Sequence, residues 1–290
     1  MPALIDLRRR IQSIRNTQQV TQAMKTVATA RFKKAHRQVV ENRPFWHAFP
    51  ELAMSLSRAA GGVWHPFLEI RPEKRIEVVV ITSDKGLCGA FNSSLLSNAV
   101  NFLQQKKSAA EVEIIPVGRK ASLYFKRHEF HIDRSYADRI ERRVPEVSLE
   151  LARHLQHRFV FKEVDAVYVV YNEFKSILAP KITVDRLLPL GAESTAETPV
   201  YLQPDWEPEA RKIIDYLLRF YLKYQLQHYL IESQAAEQAA RMLAMENATK
   251  NAEELIADLV LLLNKMRQAS ITRELLEIQT AVEALRQQGV

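Results

Sequence analysis

The chain has 290 residues, 47% of them hydrophobic, and carries a formal net charge of +7. Its single cysteine excludes an internal disulfide, the eight histidines show no metal-ligand spacing, and no stretch approaches the ~18 consecutive apolar residues of a membrane span. The opening run MPALIDLRRRIQ lacks the apolar region and cleavage site of a secretory signal, so a cytosolic chain is expected.

Residues 1 to 43 hold ten Lys/Arg against two acids, Asp6 and Glu41, which concentrates the whole charge surplus at this end. A basic element of this kind suggests an acidic partner. From Ala3 to Arg43 there is neither glycine nor proline. Leu4, Leu7, Ile11 and Ile14 follow helical spacing. After polar Thr17 the stripe is expected to move to Val20, Met24, Val27 or Ala28, Phe32, Ala35 and Val39. The expectation is a helix of about 40 residues, roughly 60 Å long.

The middle of the chain alternates. Arg75–Ile81 reads as a strand, Asn92–Lys106 as a helix capped by Asn92 or Ser93, and Val112–Val117 as a strand. Lys120–Phe130 and Ser148–Phe161 read as helices, Val164–Tyr171 as a buried strand and Lys181–Leu188 as an edge strand. Continuous apolar strands alternating with helices predict a mostly parallel sheet covered by helices.

A second breaker-free segment runs from Glu209 to Gln288. Ile214, Leu217, Tyr221, Tyr224, His228, Ile231, Ala235, Gln238, Met242, Met245, Thr249, Ala252, Ile256, Leu259, Leu263 and Met266 keep spacings of three and four without a break. That is a heptad seam of about seven repeats. It then shifts phase and resumes at Ile271, Leu275, Ile278, Val282 and Leu285. One helix over this range would be on the order of 115 Å long, which no compact globule of this size buries end to end. With a compact insert between the two segments, their natural packing is an antiparallel two-stranded coiled coil. The longer C-terminal helix must find another partner for its excess or stand alone.

The stretch ITSDKGLCGAFN, from Ile81 to Asn92, runs from a strand into a glycine loop, as many phosphate sites do. Its residues do not complete such a site. A phosphate-binding loop GxxxxGK[ST] has a lysine after its last glycine, and Ala90 follows Gly89 here; only Gly86 and Gly89 of a GxGxxG fingerprint are present. Asp84 and Lys85 suit a turn or an ion pair, and Cys88 suits a buried small hydrophobe. No Ser/His/Asp or paired-carboxylate arrangement is legible from spacing, and no catalytic residue, cofactor or metal is expected.

Three stretches carry a resemblance. ITSDKGLCGAFN, the N-terminal LRRRIQSIRNTQQVTQAMKTVATARFKKA and the C-terminal NKMRQASITRELLEI resemble, in that order, motifs of the gamma subunit of F-type rotary ATP synthases. The layout of helix, insert and helix resembles that family over essentially the whole chain. The resemblance implies an α+α/β fold, a long antiparallel coiled coil of the terminal helices with an inserted Rossmann-like α/β domain. The expected divisions are 1–57 for the first coiled-coil helix, 74–195 for the insert and 208–288 for the last helix.

It further implies a central rotor shaft without an active site of its own, coupling transmembrane ion flow to ATP synthesis or hydrolysis. The implied partners are the ring of alpha and beta subunits, the epsilon subunit and the membrane ring of c subunits, at the cytoplasmic face of a plasma membrane. By motif match, Arg267, Gln268, Thr272 and Glu274, with Leu275 and Ile278, resemble the contacts of the family's last helix with the ring. Arg8, Arg9, Met24 and Lys25 lie where the first helix meets the ring's acidic levers. Asp84, Lys85, Gly86, Cys88, Gly89 and Asn92 resemble a structural loop that seats the insert against the coil.

Three departures stand out. Ala281-Val282 replace the family's usual Gly-Ala pair, Thr26 stands where a second methionine is common, and the lone cysteine leaves out the thiol pair of plant chloroplast relatives. They point to a divergent bacterial branch. The competing reading of the residues is a basic coiled-coil scaffold or nucleic-acid-binding protein, and a third is an enzyme built on the insert.

Overall fold

The computed structural model describes residues 2–59, 64–138, 143–177, 180–190 and 209–288. The expected insert end at 195 and helix start at 208 lie outside them. The elements in order are helix α1 (Pro2–Ala59), strand β1 (Arg75–Ile81), helix α2 (Phe91–Lys107), strand β2 (Glu111–Val117), helix α3 (Arg119–Arg127), helix α4 (Val144–Val160), strands β3 (Ala166–Glu173) and β4 (Lys181–Leu188), and helix α5 (Ala210–Gln288). The terminal helices with an inserted mixed sheet are the fold the sequence predicts.

Contacts divide the chain into two units, one made of residues 28–243 and the other of 1–27 with 244–290. In the larger unit the four strands lie in the order β2-β1-β3-β4. β1 pairs in parallel with β2 and β3, and β4 runs antiparallel along the edge of β3. Strand side chains alternate between faces. Ile76, Val78 and Val80 with Ile114, Tyr168 and Val170 meet Leu95, Ala99 and Leu103 of α2 and Phe125 of α3. Val79 and Ile81 with Val117, Val167 and Val169 meet Leu151, Leu155 and Phe159 of α4, together with residues of α1 and α5. Both faces are covered, so most of β1, Glu77 apart, and most of β3 are apolar without alternation, as parallel central strands require.

Helix α1 continues through Pro44 and Pro50, beyond the roughly 40 residues expected from the breaker-free run. A proline removes a helical hydrogen bond and disfavours continuation. Trp46 and Phe49, buried against Tyr221 and His228 of α5, hold the helix there. Its apolar stripe does not shift after Thr17. Val20 and Val27 are exposed, while Ile11, Ala28, Ala35 and Val39 are buried and Gln18 and Thr21 half-buried, so one seam runs straight through polar positions. The cap of α2 is Ala90, which makes no side-chain capping bond. Asn92 instead turns back to Ser83, accepting from its N–H at 3.0 Å. Strand β3 starts two residues later than expected, because Lys162 adopts a left-handed turn and the N–H of Asp165 bonds to Arg75 O.

In the smaller unit the two helices pair antiparallel. Gln18 Nε2 donates to Glu253 Oε1 at 3.0 Å, the hydroxyls of Thr21 and Thr249 meet at 2.8 Å, and Lys25 Nζ lies 3.4 Å from Glu246. The two residue numbers of each pair add to 270 or 271, a constant antiparallel register. Met245, Thr249, Ala252 and Leu259 are buried along it and Ile256, Leu263 and Met266 half-buried, as the seam predicts. Because α1 starts at Pro2, that register runs out at about residue 268 of α5. From Ile271 to Glu283 every residue is exposed; the side chain of Leu285 lies outside the described ones.

Candidate functional site

The loop after β1 is tied down from within. Thr82 Oγ1 accepts from Ala121 N at 2.8 Å, and Asp84 Oδ1 accepts from Arg119 N at 3.0 Å and Asp138 N at 2.9 Å. These oxygens serve the first turn of α3, where N–H groups lack helical partners and negative charge is favoured. Gly118 lies between: its φ of 102° is open to glycine, and a Cβ would stand 2.3 Å from Thr82 O. Asn92 Nδ2 reaches Ser83 Oγ at 2.8 Å and Cys88 Sγ at 3.1 Å. Cys88 is 2% exposed, and burial pushes its thiol pKa up, away from a reactive thiolate. Gly89 takes a left-handed φ of 56° just before α2.

The side of this loop facing α5 presents carbonyls. Arg241 Nη2 donates to Gly86 O at 3.3 Å and Lys85 O at 3.4 Å, while Glu237 accepts from the same nitrogen at 2.6 Å. A phosphate cradle needs N–H groups aimed at an anion. Here carbonyl oxygens grip a cation on the chain's own helix.

A second knot joins α1, α5 and the end of β3. Glu232, only 1% exposed at its side chain, accepts from Arg43 Nη2 at 3.0 Å and from Phe174 N at 3.0 Å. Arg43 also donates to Phe174 O at 2.9 Å. Neither residue is marked by the sequence, since they stand 189 positions apart and Glu232 sits beside the predicted seam.

A third cluster was also unforeseen. Glu77, 0% exposed in mid-strand β1, takes Arg158 Nη1 of α4 at 2.7 Å. The same nitrogen lies 2.5 Å from Glu113 and 3.7 Å from Asp133, and His154 Nε2 lies 2.5 Å from Asp133. Glu77, Asp133 and His154 bring donor atoms within 4.8 Å of one another, a grouping that chain spacing could not reveal. Arg158 supplies the positive charge this group holds. The carboxylates of Glu77, 3.8 Å away, and of Asp133 raise the His154 pKa above 6.5 against the effect of burial. The acid at an otherwise apolar strand position was the one available signal.

The residues expected to meet partners are not gathered into one pocket. Arg8 and Arg9 are exposed on α1, and Met24 and Lys25 are half-buried toward α5. Arg267, Gln268, Thr272, Glu274, Leu275 and Ile278 are all exposed, the first two at the end of the paired register of α5 and the others beyond it. Thr272 Oγ1 donates to Gln268 O at 3.0 Å, and Ser270 reaches Glu274 at 3.4 Å, so these polar groups are held along the helix. Ile271, Leu275, Ile278 and Val282 add exposed apolar surface there.

The ATP synthase family model matches residues 3–285. The ATP synthase gamma chain of Pelotomaculum thermopropionicum is 39% identical over 98% of this chain and all of its own. That of Chlorobium phaeobacteroides is 40% identical over 98% of this chain and 99% of its own. Among solved structures, a chain of the central stalk and c-ring of Tetrahymena thermophila mitochondrial ATP synthase is 26% identical, with a TM-score of 0.61, over 79% of this chain and 99% of that one. A chain of Euglena gracilis mitochondrial ATP synthase has the same fold at 20% identity, with a TM-score of 0.69, over 98% of this chain and 95% of that one.

Proposed function

The chain belongs to the ATP synthase gamma chain family, and from that premise we propose how its residues carry the work of a rotor. It is the central rotor shaft of an F-type ATP synthase, coupling ion flow across a membrane to ATP synthesis or hydrolysis in the ring of alpha and beta subunits. It is part of a membrane-associated complex, and no helix among the described residues is long and apolar enough to cross a membrane. We place it at the cytoplasmic face of a bacterial plasma membrane, with epsilon and the c-ring beside the insert. The nucleic-acid scaffold reading is not favoured.

The observation that carries the residue-level reading is the end of the register. α5 continues past its last partner on α1 as a helix with an exposed apolar stripe of Ile271, Leu275, Ile278 and Val282. A solvent-facing stripe of this length calls for a partner surface. We assign it, with Arg267, Gln268, Thr272 and Glu274, to the bore of the alpha–beta ring. Contacts there must break and reform at each step, which suits small apolar patches and exposed polar groups of low individual worth. Arg8, Arg9, Met24 and Lys25 are assigned to the ring's acidic levers. The loop Asp84, Lys85, Gly86, Cys88, Gly89 and Asn92 is assigned a structural role, fixing the sheet to α5 through Arg241. The divisions 1–57, 74–195 and 208–288 separate these tasks.

Reconstitution tests the assignment. Mixing the chain with alpha and beta subunits of its own organism should yield a stable complex with cooperative ATPase activity. Failure to form that complex, with the alpha and beta subunits and the chain all folded, would sink the rotor reading.

A further inference from the structure

A recess of about 410 Å³ lies within the larger unit, between α1, α4 and α5. We propose that it binds a small phosphate-bearing anion, held by Arg31 and Lys34 and by the amide of Gln238. The volume falls within the roughly 300–1,000 Å³ usual for small-molecule sites. Arg31 and Lys34 of α1 stand on its wall. Gln38, Gln234 and Gln238 add three side-chain amides, and no acidic side chain lines it among the described residues.

The opposite wall is the first turn of α4, at Val144 and Pro145. This helix has 17 residues, and its cap residue Arg143 makes no side-chain capping bond. Its N-terminal N–H groups and dipole favour an anion. Glu146, the acid of that first turn, is exposed and does not line the recess.

Gln238 is the independent indication of a ligand. It is 2% exposed, lines the recess, and its Oε1 has no hydrogen-bond partner among the described residues. A buried amide oxygen left unmatched is costly, and such groups normally find a partner. Hydrogen phosphate both accepts and donates, so it matches this amide in either orientation. No aromatic ring lines the recess among the described residues, so recognition rests on the phosphate rather than on stacking with a base.

The test uses the full chain and titrates inorganic phosphate by calorimetry at constant ionic strength, without other subunits, so its outcome is independent of whether a rotary complex assembles. Saturable one-to-one binding is expected. Lys34→Gln and Gln238→Leu should each weaken it about tenfold or more, the scale of a hydrogen bond to a charged group. Lys33→Gln, on the neighbouring exposed position outside the recess, should leave it unchanged. Should Gln238→Leu fail to fold, Lys34→Gln against Lys33→Gln decides alone. Absence of saturable binding, equal weakening by Lys33→Gln, or binding of a hexaglutamate peptide in place of phosphate would each overturn the proposal.

Discussion

Among single residues, the Arg43–Glu232 pair is asymmetric. Glu232 is almost wholly buried, whereas the Arg43 side chain is 39% exposed. Removing the arginine strands a carboxylate inside the protein; removing the carboxylate leaves an arginine that can turn to water. Arg43→Met should therefore destabilise by about 3–5 kcal/mol. Glu232→Met should cost only about 1–2 kcal/mol, mostly for the lost bond to Phe174 N. Urea midpoints of the two variants check the order, and equal losses would contradict the account. His154 supplies a pH dependence. Its folded pKa is raised above 6.5 by Glu77 and Asp133, with Glu113 and Arg158 in the same cluster. A raised histidine pKa stabilises fully below the unfolded value, and that contribution is lost as pH rises through the folded value. His154→Gln should thus be more damaging at about pH 6 than at about pH 8.5. An identical urea-midpoint difference at both values would mean the histidine is not charged in the fold.

For the paired helices, the Thr21–Thr249 contact is the informative one. Thr21 Oγ1 also reaches Gln18 O at 2.9 Å, and Thr249 Oγ1 reaches Met245 O at 2.8 Å. Two hydroxyl protons cannot serve three bonds, so one backbone bond is forfeited whenever the cross-helix bond forms. Replacing both threonines with valine keeps the shape and removes every competing demand. The double variant should be as stable as the wild type or up to about 1 kcal/mol more stable, while either single variant is less stable than the double. Thermal unfolding of all three variants decides it. The same helices bear on what a sequence can disclose. The seam of α5 was legible from Ile214 to Met266 because coiled-coil packing repeats along one chain. In α1 the stretch through Gln18 and Thr21 was not, because these seam positions are polar and Val20 is apolar on the outside, whereas Met24, Ala28, Phe32, Ala35 and Val39 lie on the seam as expected. The run of α1 through Pro44 is decided by tertiary packing on Trp46 and Phe49. The loop from Asp84 to Asn92 could be recognised by its residues, yet its grip by Arg241 joins positions more than 150 apart. The Glu77–Arg158 and Arg43–Glu232 pairs have the same long-range origin.

At the scale of the molecule, folding and rotation should be separable. The register of α1 on α5 is spent at about residue 268, so truncation after Lys265 removes few contacts internal to the chain. The isolated truncated chain should unfold within a few degrees of the full one. In a reconstituted complex, however, ATP-driven ion pumping should fall well below ATP hydrolysis. Full coupling without the tip would remove the bearing role assigned to Ile271, Leu275 and Ile278. Watching rotation directly is also simpler in this protein because of one buried side chain. Cys88 is the chain's sole thiol and is shielded by Asn92 and Ser83. A maleimide dye or bead tether offered to a folded Gln104→Cys variant would attach at the exposed outer face of α2 and nowhere else. The wild-type polypeptide thus serves directly as the cysteine-silent background for single-molecule labelling.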